Sequence, residues 1–488
     1  MPDMTTGDER TALLDQLKQL WELVGGHEVR AGGPALVEEL TGHFGSAPHE
    51  MAVLTEEVAN HRFVDFDIAL EVVAARDAGH RAIGIGGGES RYHHNFSDMI
   101  QPPGVGFGGG RFPLAQVDYA NVATGPDTER AAIAFGIRLF RYAGVPVAVL
   151  LRKANPYRGR GSATLEVLCP DQPTAARLLD ELREISLQRS VLRGQVVGLA
   201  NSGYEQAEEG LTFIARPNLT ADQVILPEGV LERVVDHVVG IAAHAEMLAA
   251  HGQHLKRGVL LFGPPGSGKT HTVRHLLSIT PGHTVVLLAG DTLRFVGLAA
   301  KLARAMQPAI VVLEDCDLIA EDRDMHHGAK PLLFEVLDAM DGLDADADVT
   351  FLLTTNRVEA MERALAQRPG RVDLAVEVPL PDEAGRLALL RLYAPVGAFG
   401  EEVLAETAAR TAGTTASFSK ELIRRAVLAA AKEGLEPSDA HLRGANDVIL
   451  ADGERLSRAL LGVQDSGVPG NGADPRATPD GSGSFHLI

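Results

Sequence analysis

The run Gly263-Pro264-Pro265-Gly266-Ser267-Gly268-Lys269-Thr270 reads G-x-x-x-x-G-K-T, the spacing of a loop that wraps phosphates. Glycines let backbone N–H groups close on phosphate oxygens, and the first N–H groups of a following helix add partial positive charge. Lys269 supplies a point charge for a nucleotide's β- and γ-phosphates, and the Thr270 hydroxyl can ligate Mg²⁺. His271 follows directly and is expected to face the same nucleotide. A second constellation lies downstream, where Ile310-Val311-Val312-Leu313 delivers Glu314 and Asp315. Glu314 is expected to join Thr270 in holding Mg²⁺. Asp315 is expected to orient and polarise an attacking water.

These groups need a frame that brings them together. Gly258 to Phe262 is short, apolar and bounded by glycines, so it reads as a buried strand leading into the phosphate loop, and 271–278 reads as the helix leaving it. Further strands are expected at 285–289, 309–313, 350–354 and 375–378, each near a helical stretch. That alternation predicts an α/β fold, a parallel sheet with helices on both faces, which binds ligands at the carboxyl ends of its strands. Residues 223–379 form this large unit. Residues 380–462 read as helices only, a small lid, and 463–488 are rich in Gly, Pro, Asp and Ser and are expected to be disordered.

The first half is read as a helical and α+β region. Residues 1–112 are expected to be helical from about 8 to 80, where Leu13, Leu14, Leu17, Leu20 and Trp21 recur at helical spacing as core residues. Residues 84–112 then read as a glycine-rich loop, with His93 and His94 lacking metal-ligand spacing. Residues 113–222 predict a compact α+β module with strands at 145–151 and 163–168, a helix at 175–185, and a broken strand at 191–199. No catalytic constellation falls here, so recognition or regulation is its expected task.

Composition excludes several classes. The 488 residues are 45% hydrophobic and 23% charged, as a globular protein is. A net charge of −20 argues against general nucleic-acid binding. The two cysteines, Cys169 and Cys316, sit in no C-x-x-C pair and suit a reducing cytoplasm. No signal peptide and no membrane span are expected.

Taken together, residues from about 225 to 462 resemble the AAA family of AAA+ ATPases. The phosphate loop and the Glu314-Asp315 strand end come in family order. Leu353-Thr354-Thr355-Asn356 is similar to the sensor-1 strand, which implies that Asn356 contacts the γ-phosphate or the attacking water. Arg368-Pro369-Gly370-Arg371-Val372-Asp373 resembles the second region of homology, which implies that Arg368 and Arg371 reach the nucleotide of a neighbouring subunit. Thr411 to Ala416 looks like the start of the lid helix that touches the adenine side. The resemblance therefore implies a homo-oligomeric ring, a hexamer by family habit, that uses ATP and Mg²⁺ to remodel a protein client. The chain departs from the usual Asp-Glu order at 314–315. A similar order occurs in the subgroup of the mitochondrial Rieske-protein translocase, which Val224 to Val230 and Leu337 to Leu343 also echo, but the membrane anchor of that subgroup is not expected here. Phe295-Val296-Gly297 has the form of a substrate-gripping pore loop, and packing of Phe295 on the core explains it equally well. Two other functions stand beside remodelling, an ATPase partner of a separate protease and a nucleotide-dependent assembly scaffold. The chain itself carries no H-E-x-x-H motif, and its end, Phe485-His486-Leu487-Ile488, lacks the penultimate tyrosine of proteasome-docking tails.

Overall fold

The computed structural model describes residues 35–101, 112–155, 160–200, 210–316, 332–342, 344, 346–359 and 371–451. The expected N-terminal helix around Leu13 to Trp21, the tail 463–488 and Arg368 lie outside them.

Two seven-stranded sheets organise the chain. The first is antiparallel, in the order β1–β7–β6–β5–β2–β3 with β4 paired to β5. Its strands are β1 (Ala52–Val58), β2 (Arg81–Ile85), β3 (Leu114–Ala115), β4 (Asp118–Ala123), β5 (Glu129–Tyr142), β6 (Val145–Arg152) and β7 (Ala163–Cys169). Helices α2 (Phe63–Ala74) and α3 (Gln172–Gln188) pack on one face through Phe63, Leu70, Leu178 and Leu182, all nearly inaccessible. Helix α1 (Leu36–Phe44) covers the other face with Phe96, Met99 and Ile100.

The second sheet runs β14–β10–β13–β12–β11–β8–β9. Its strands are β8 (Val196–Ala200), β9 (Gly210–Ile214), β10 (Arg257–Phe262), β11 (Thr284–Ala289), β12 (Ala309–Glu314), β13 (Val349–Thr355) and β14 (Leu374–Glu377). Every pairing from β14 to β8 is parallel, and β9 closes the edge antiparallel. The central strands are mostly apolar and buried because helices cover both faces. Val349–Thr355 is buried at every position. Helices α4 (Lys269–Ile279), α5 (Val296–Ala305) and α6 (Leu332–Asp341) belong to this layer. Helices α7 (Glu383–Tyr393), α8 (Glu401–Arg410), α9 (Ala416–Glu433) and α10 (Asp439–Leu450) pack around Leu390, Phe418, Leu422 and Leu442 as a separate lid.

The first half differs from its sequence reading in four ways. The stretch 8–80 is not wholly helical, because 52–58 pairs residue by residue with β7. The glycine-rich stretch begins inside a strand. At Gly84 a Cβ would stand 1.9 Å from the Gln116 carbonyl oxygen, so the glycine there admits a neighbouring backbone. Residues on both sides of 112 share one sheet, so 1–112 and 113–222 are not separate units. The expected limit at 222 also moves. Residues 196–200 and 210–214 are strands of the second sheet, and the chain crosses between sheets near Gly194, whose φ is +68°.

That crossing is tied down. The buried Asp65 carboxylate accepts from Arg62 Nε at 2.8 Å, Ser190 Oγ at 2.7 Å and Val191 N at 2.9 Å. Arg193 donates to the carbonyls of Leu187, Gln307 and Ala305, joining the end of α3 to the second sheet.

Candidate functional site

Strand β10 ends at Phe262, and the phosphate loop leaves the carboxyl edge of the sheet there. Gly263 has φ +148°, and a Cβ on it would meet the Val378 carbonyl oxygen at 2.2 Å, so glycine alone lets β14 close over the start of the loop. Gly266 turns at φ +74° beneath Ser417 of the lid. Lys269 opens α4 and is 6% exposed. Its Nζ donates to the carbonyls of Gly263 and Pro264 at 2.9 Å each, which points the ammonium into the loop.

A cavity of about 400 Å³ opens over this loop. Pro265 to His271 line it, with Asp315 and Asn356 at the sheet edge. Asn356 Nδ2 donates to Asp315 Oδ1 at 3.4 Å. Glu314 accepts from the Thr270 hydroxyl. Burial raises the Glu314 carboxyl above the usual carboxylate range, and the charge of Asp315 adds to this, while Arg274 and the Thr270 hydroxyl oppose it. A divalent cation beside Thr270 and Glu314 would offset that cost, so this pair fits Mg²⁺. His271 is held below the ordinary histidine value by burial, then by Arg274 and Lys420, and faces the cavity as a neutral ring at pH 7.

The opposite wall is apolar. Val224, Ile225 and Leu226, Leu389 at the lid, and Tyr393 complete the cavity with Lys420. Lys420 Nζ stands 6.0 Å from the Tyr393 ring centre. Tyr393 and Lys420 escaped the sequence reading. The signal present was that Ala416, Ser417 and Lys420 share one face of α9, whose N-terminal Thr415 caps it by accepting from Phe418 N at 3.2 Å.

Arg371 does not line this cavity. Its carbonyl abuts Gly258 at the amino end of β10, and Asp373 Oδ2 accepts from Gly258 N at 3.0 Å. Five residue steps separate Gly258 from the start of the phosphate loop at Gly263, about 16 Å at about 3.3 Å per residue. Arg371 pairs there with Asp341, Nη2 to Oδ2 at 2.5 Å. Phe295 leans on the core beside Val296 and carries the Arg294 guanidinium 4.7 Å above its ring, which favours the packing role.

A phosphate loop, an acidic strand end and a polar sensor converging at the carboxyl edge of a parallel sheet define a P-loop ATPase site. Residues 259–380 match the model of the ATPase family associated with various cellular activities. That match assigns an AAA domain to this stretch of the chain. It is 30% identical to a proteasome-activating nucleotidase of Methanoculleus marisnigri over 232 residues, 45% of this chain and 56% of the relative. It is 33% identical to the ATP-dependent zinc metalloprotease FtsH 3 of Sphaerobacter thermophilus over 267 residues, 52% of this chain and 54% of the relative. It is 34% identical to the ATP-dependent zinc metalloprotease YME1L of Drosophila melanogaster over 234 residues, 45% of this chain and 31% of the relative. The chain spans about half the length, or less, of these relatives. No described helix is long and apolar enough to cross a membrane.

Proposed function

We propose that the chain binds ATP with Mg²⁺ in this cavity, hydrolyses it between subunits of a homo-oligomeric ring, a hexamer, and uses the cycle to unfold, remodel or translocate a protein client. The apolar wall of Val224 to Leu226, Leu389 and Tyr393 takes the adenine, and the loop 263–270 takes the phosphates. Thr270 and Glu314 would hold Mg²⁺, whose charge neutralises the phosphate oxygens and polarises the transferring group. Asp315, steadied by Asn356, orients the water that attacks the γ-phosphorus; the bond from that phosphorus to the β,γ-bridging oxygen breaks, ADP is the leaving group, and the water's oxygen ends in the released phosphate. Arg368 and Arg371 serve the neighbour's site. Residues 35–200 carry client recognition, and the cytoplasm is the compartment that suits two buried cysteine thiols.

The observation that carries this reading is the position of Arg371 at the far end of β10 from the phosphates its own chain binds. Mixing two inactive variants tests it. Arg371→Ala retains Asp315, and Asp315→Asn retains Arg371, so a mixed ring regains complete sites and ATP turnover returns. Inactive variants that stay inactive when mixed would refute the shared site. A second reading, a separate protease as partner, is favoured by the relatives named for proteasome activation and proteolysis. ATP-dependent loss of an unfolded client only when such a protease is added would support it.

A further inference from the structure

Glu314 is the last residue of β12, and the chain turns sharply at the next position. Asp315 has φ +53°, a left-handed backbone that residues with a side chain seldom adopt. Such a conformation persists only where its surroundings hold it. The pairing of β12 with β13 ends at Leu313 and Leu353. Beyond it, Thr354 takes over with two groups. Its Oγ1 accepts from Asp315 N at 3.0 Å, and its carbonyl oxygen accepts from Cys316 N at 2.9 Å. Thr354 is 1% exposed and lies in a strand buried throughout, so its position is set by the core. Cys316 anchors the far side of the turn in the same core, with Sγ donating to the Leu313 carbonyl at 3.4 Å.

We infer that Thr354 is a positioning residue that clamps the left-handed turn at Asp315 and so aims its carboxylate into the cavity. This rests on the proposal that Asp315 orients the attacking water. The clamp answers a geometric need of this chain. The side chain that must reach the water is an aspartate, one methylene shorter than glutamate, so its backbone must carry it forward. A hydroxyl at 354 accepts the Asp315 N–H from inside the sheet, and an apolar side chain of the same shape leaves that N–H without its partner. Asn356, two residues along the same strand end, then steadies Asp315 Oδ1 from the solvent side. One strand end thus holds both the backbone and the side chain of the water-orienting residue.

The test compares Thr354→Val, Thr354→Ser and Asp315→Asn in the full chain by steady-state turnover, equilibrium binding of a fluorescent ATP analogue, and melting temperature. Thr354→Val is expected to lower kcat by about tenfold to a hundredfold, since a carboxylate displaced by an ångström loses that much. Its ATP affinity is expected to stay within about twofold of wild type, because the phosphate loop is untouched. Thr354→Ser restores the acceptor and is expected to keep kcat within about threefold of wild type. Thr354→Ala removes the same hydroxyl and carries the test should Thr354→Val fail to fold. Hydroxyl-free variants with wild-type kcat, in a chain that Asp315→Asn inactivates, overturn the clamp alone. Equal losses in Thr354→Ser and Thr354→Val also overturn it. Wild-type turnover in Asp315→Asn overturns the water-orienting assignment and the clamp with it.

Discussion

The sheet of β1 to β7 and the sheet of β8 to β14 have the same number of strands, yet they handle charge in different ways. In the antiparallel sheet, buried charges pair with one another. Arg152 and Glu166 stand 3.2 Å apart with side chains 3% and 5% exposed, and Glu166 also accepts from Phe96 N. Asp67 lies between Arg130 and Arg138. In the parallel sheet, Arg257 pairs with Asp348 at the amino end of the strands, while a second set of charged groups gathers at the carboxyl edge and faces a cavity. Lys269, Glu314 and Asp315 meet there because parallel strands all end on the same side. Antiparallel neighbours end on alternate sides, so the same number of strands concentrates no such edge. Charge therefore serves architecture alone in the first sheet, and architecture at one end and chemistry at the other in the second.

Two substitutions would break this contrast if their effects were exchanged. Lys269→Ala removes the cation that faces the phosphates, and ATP turnover is expected to fall by about a hundredfold or more, measured by phosphate release. Circular dichroism should report an intact fold. Arg152→Met leaves Glu166 charged and buried without its partner, and a loss of about 3–5 kcal/mol is expected in denaturant unfolding. ATP affinity should be unchanged. Between them stands Asp65→Ala, which strips one acceptor from Arg62, Ser190 and Val191 where the two halves join. About 2–3 kcal/mol of stability should be lost. Faster amide exchange should appear at Val191 and along β8. Exchange confined to the first sheet would show that the crossing is held by something else.

The phosphate loop, the acidic strand end and the sensor strand were legible because phosphate chemistry dictates residue types at fixed spacing. The strands at 285–289, 309–313 and 350–354 were legible because burial on both faces writes mostly apolar runs, and 375–378, on an edge strand, because Val376 and Val378 alternate with more exposed residues. Strand β8 could be seen at 191–199, but its sheet could not, since apolar pattern reports burial and not the partner strand. The strand at 52–58 was missed because Ala-Val-Leu-Thr-Glu-Glu-Val carries too few apolar residues to stand out from a helix. Tyr393 and Lys420 reach the cavity only through the tertiary placement of the lid, which no local spacing encodes. Thr354 reads as one more β-branched strand residue until the turn at Asp315 shows what its hydroxyl faces.

The smallest expected effect sharpens the contrast most, because it sets stability against function at a single atom pair. Glu314 is more costly to ionise in the folded chain than in the unfolded one, chiefly through burial and secondarily through Asp315. Its folded pKa is raised, so the cost exists above that pKa and vanishes as pH falls below it. Glu314→Gln removes the charge while keeping the shape and an acceptor for Thr270. The nucleotide-free variant should therefore melt about 2 °C higher than wild type near neutral pH, and the difference should disappear in acid. ATP turnover should be lost over the same neutral range, because the amide is a poor Mg²⁺ ligand. The same exchange of a charged residue for its neutral isostere at Glu166 should lower the melting temperature, since there Arg152 is left unpaired. A Glu314→Gln chain that melts below wild type at neutral pH would show that its carboxylate is held by favourable partners, as those of the first sheet are.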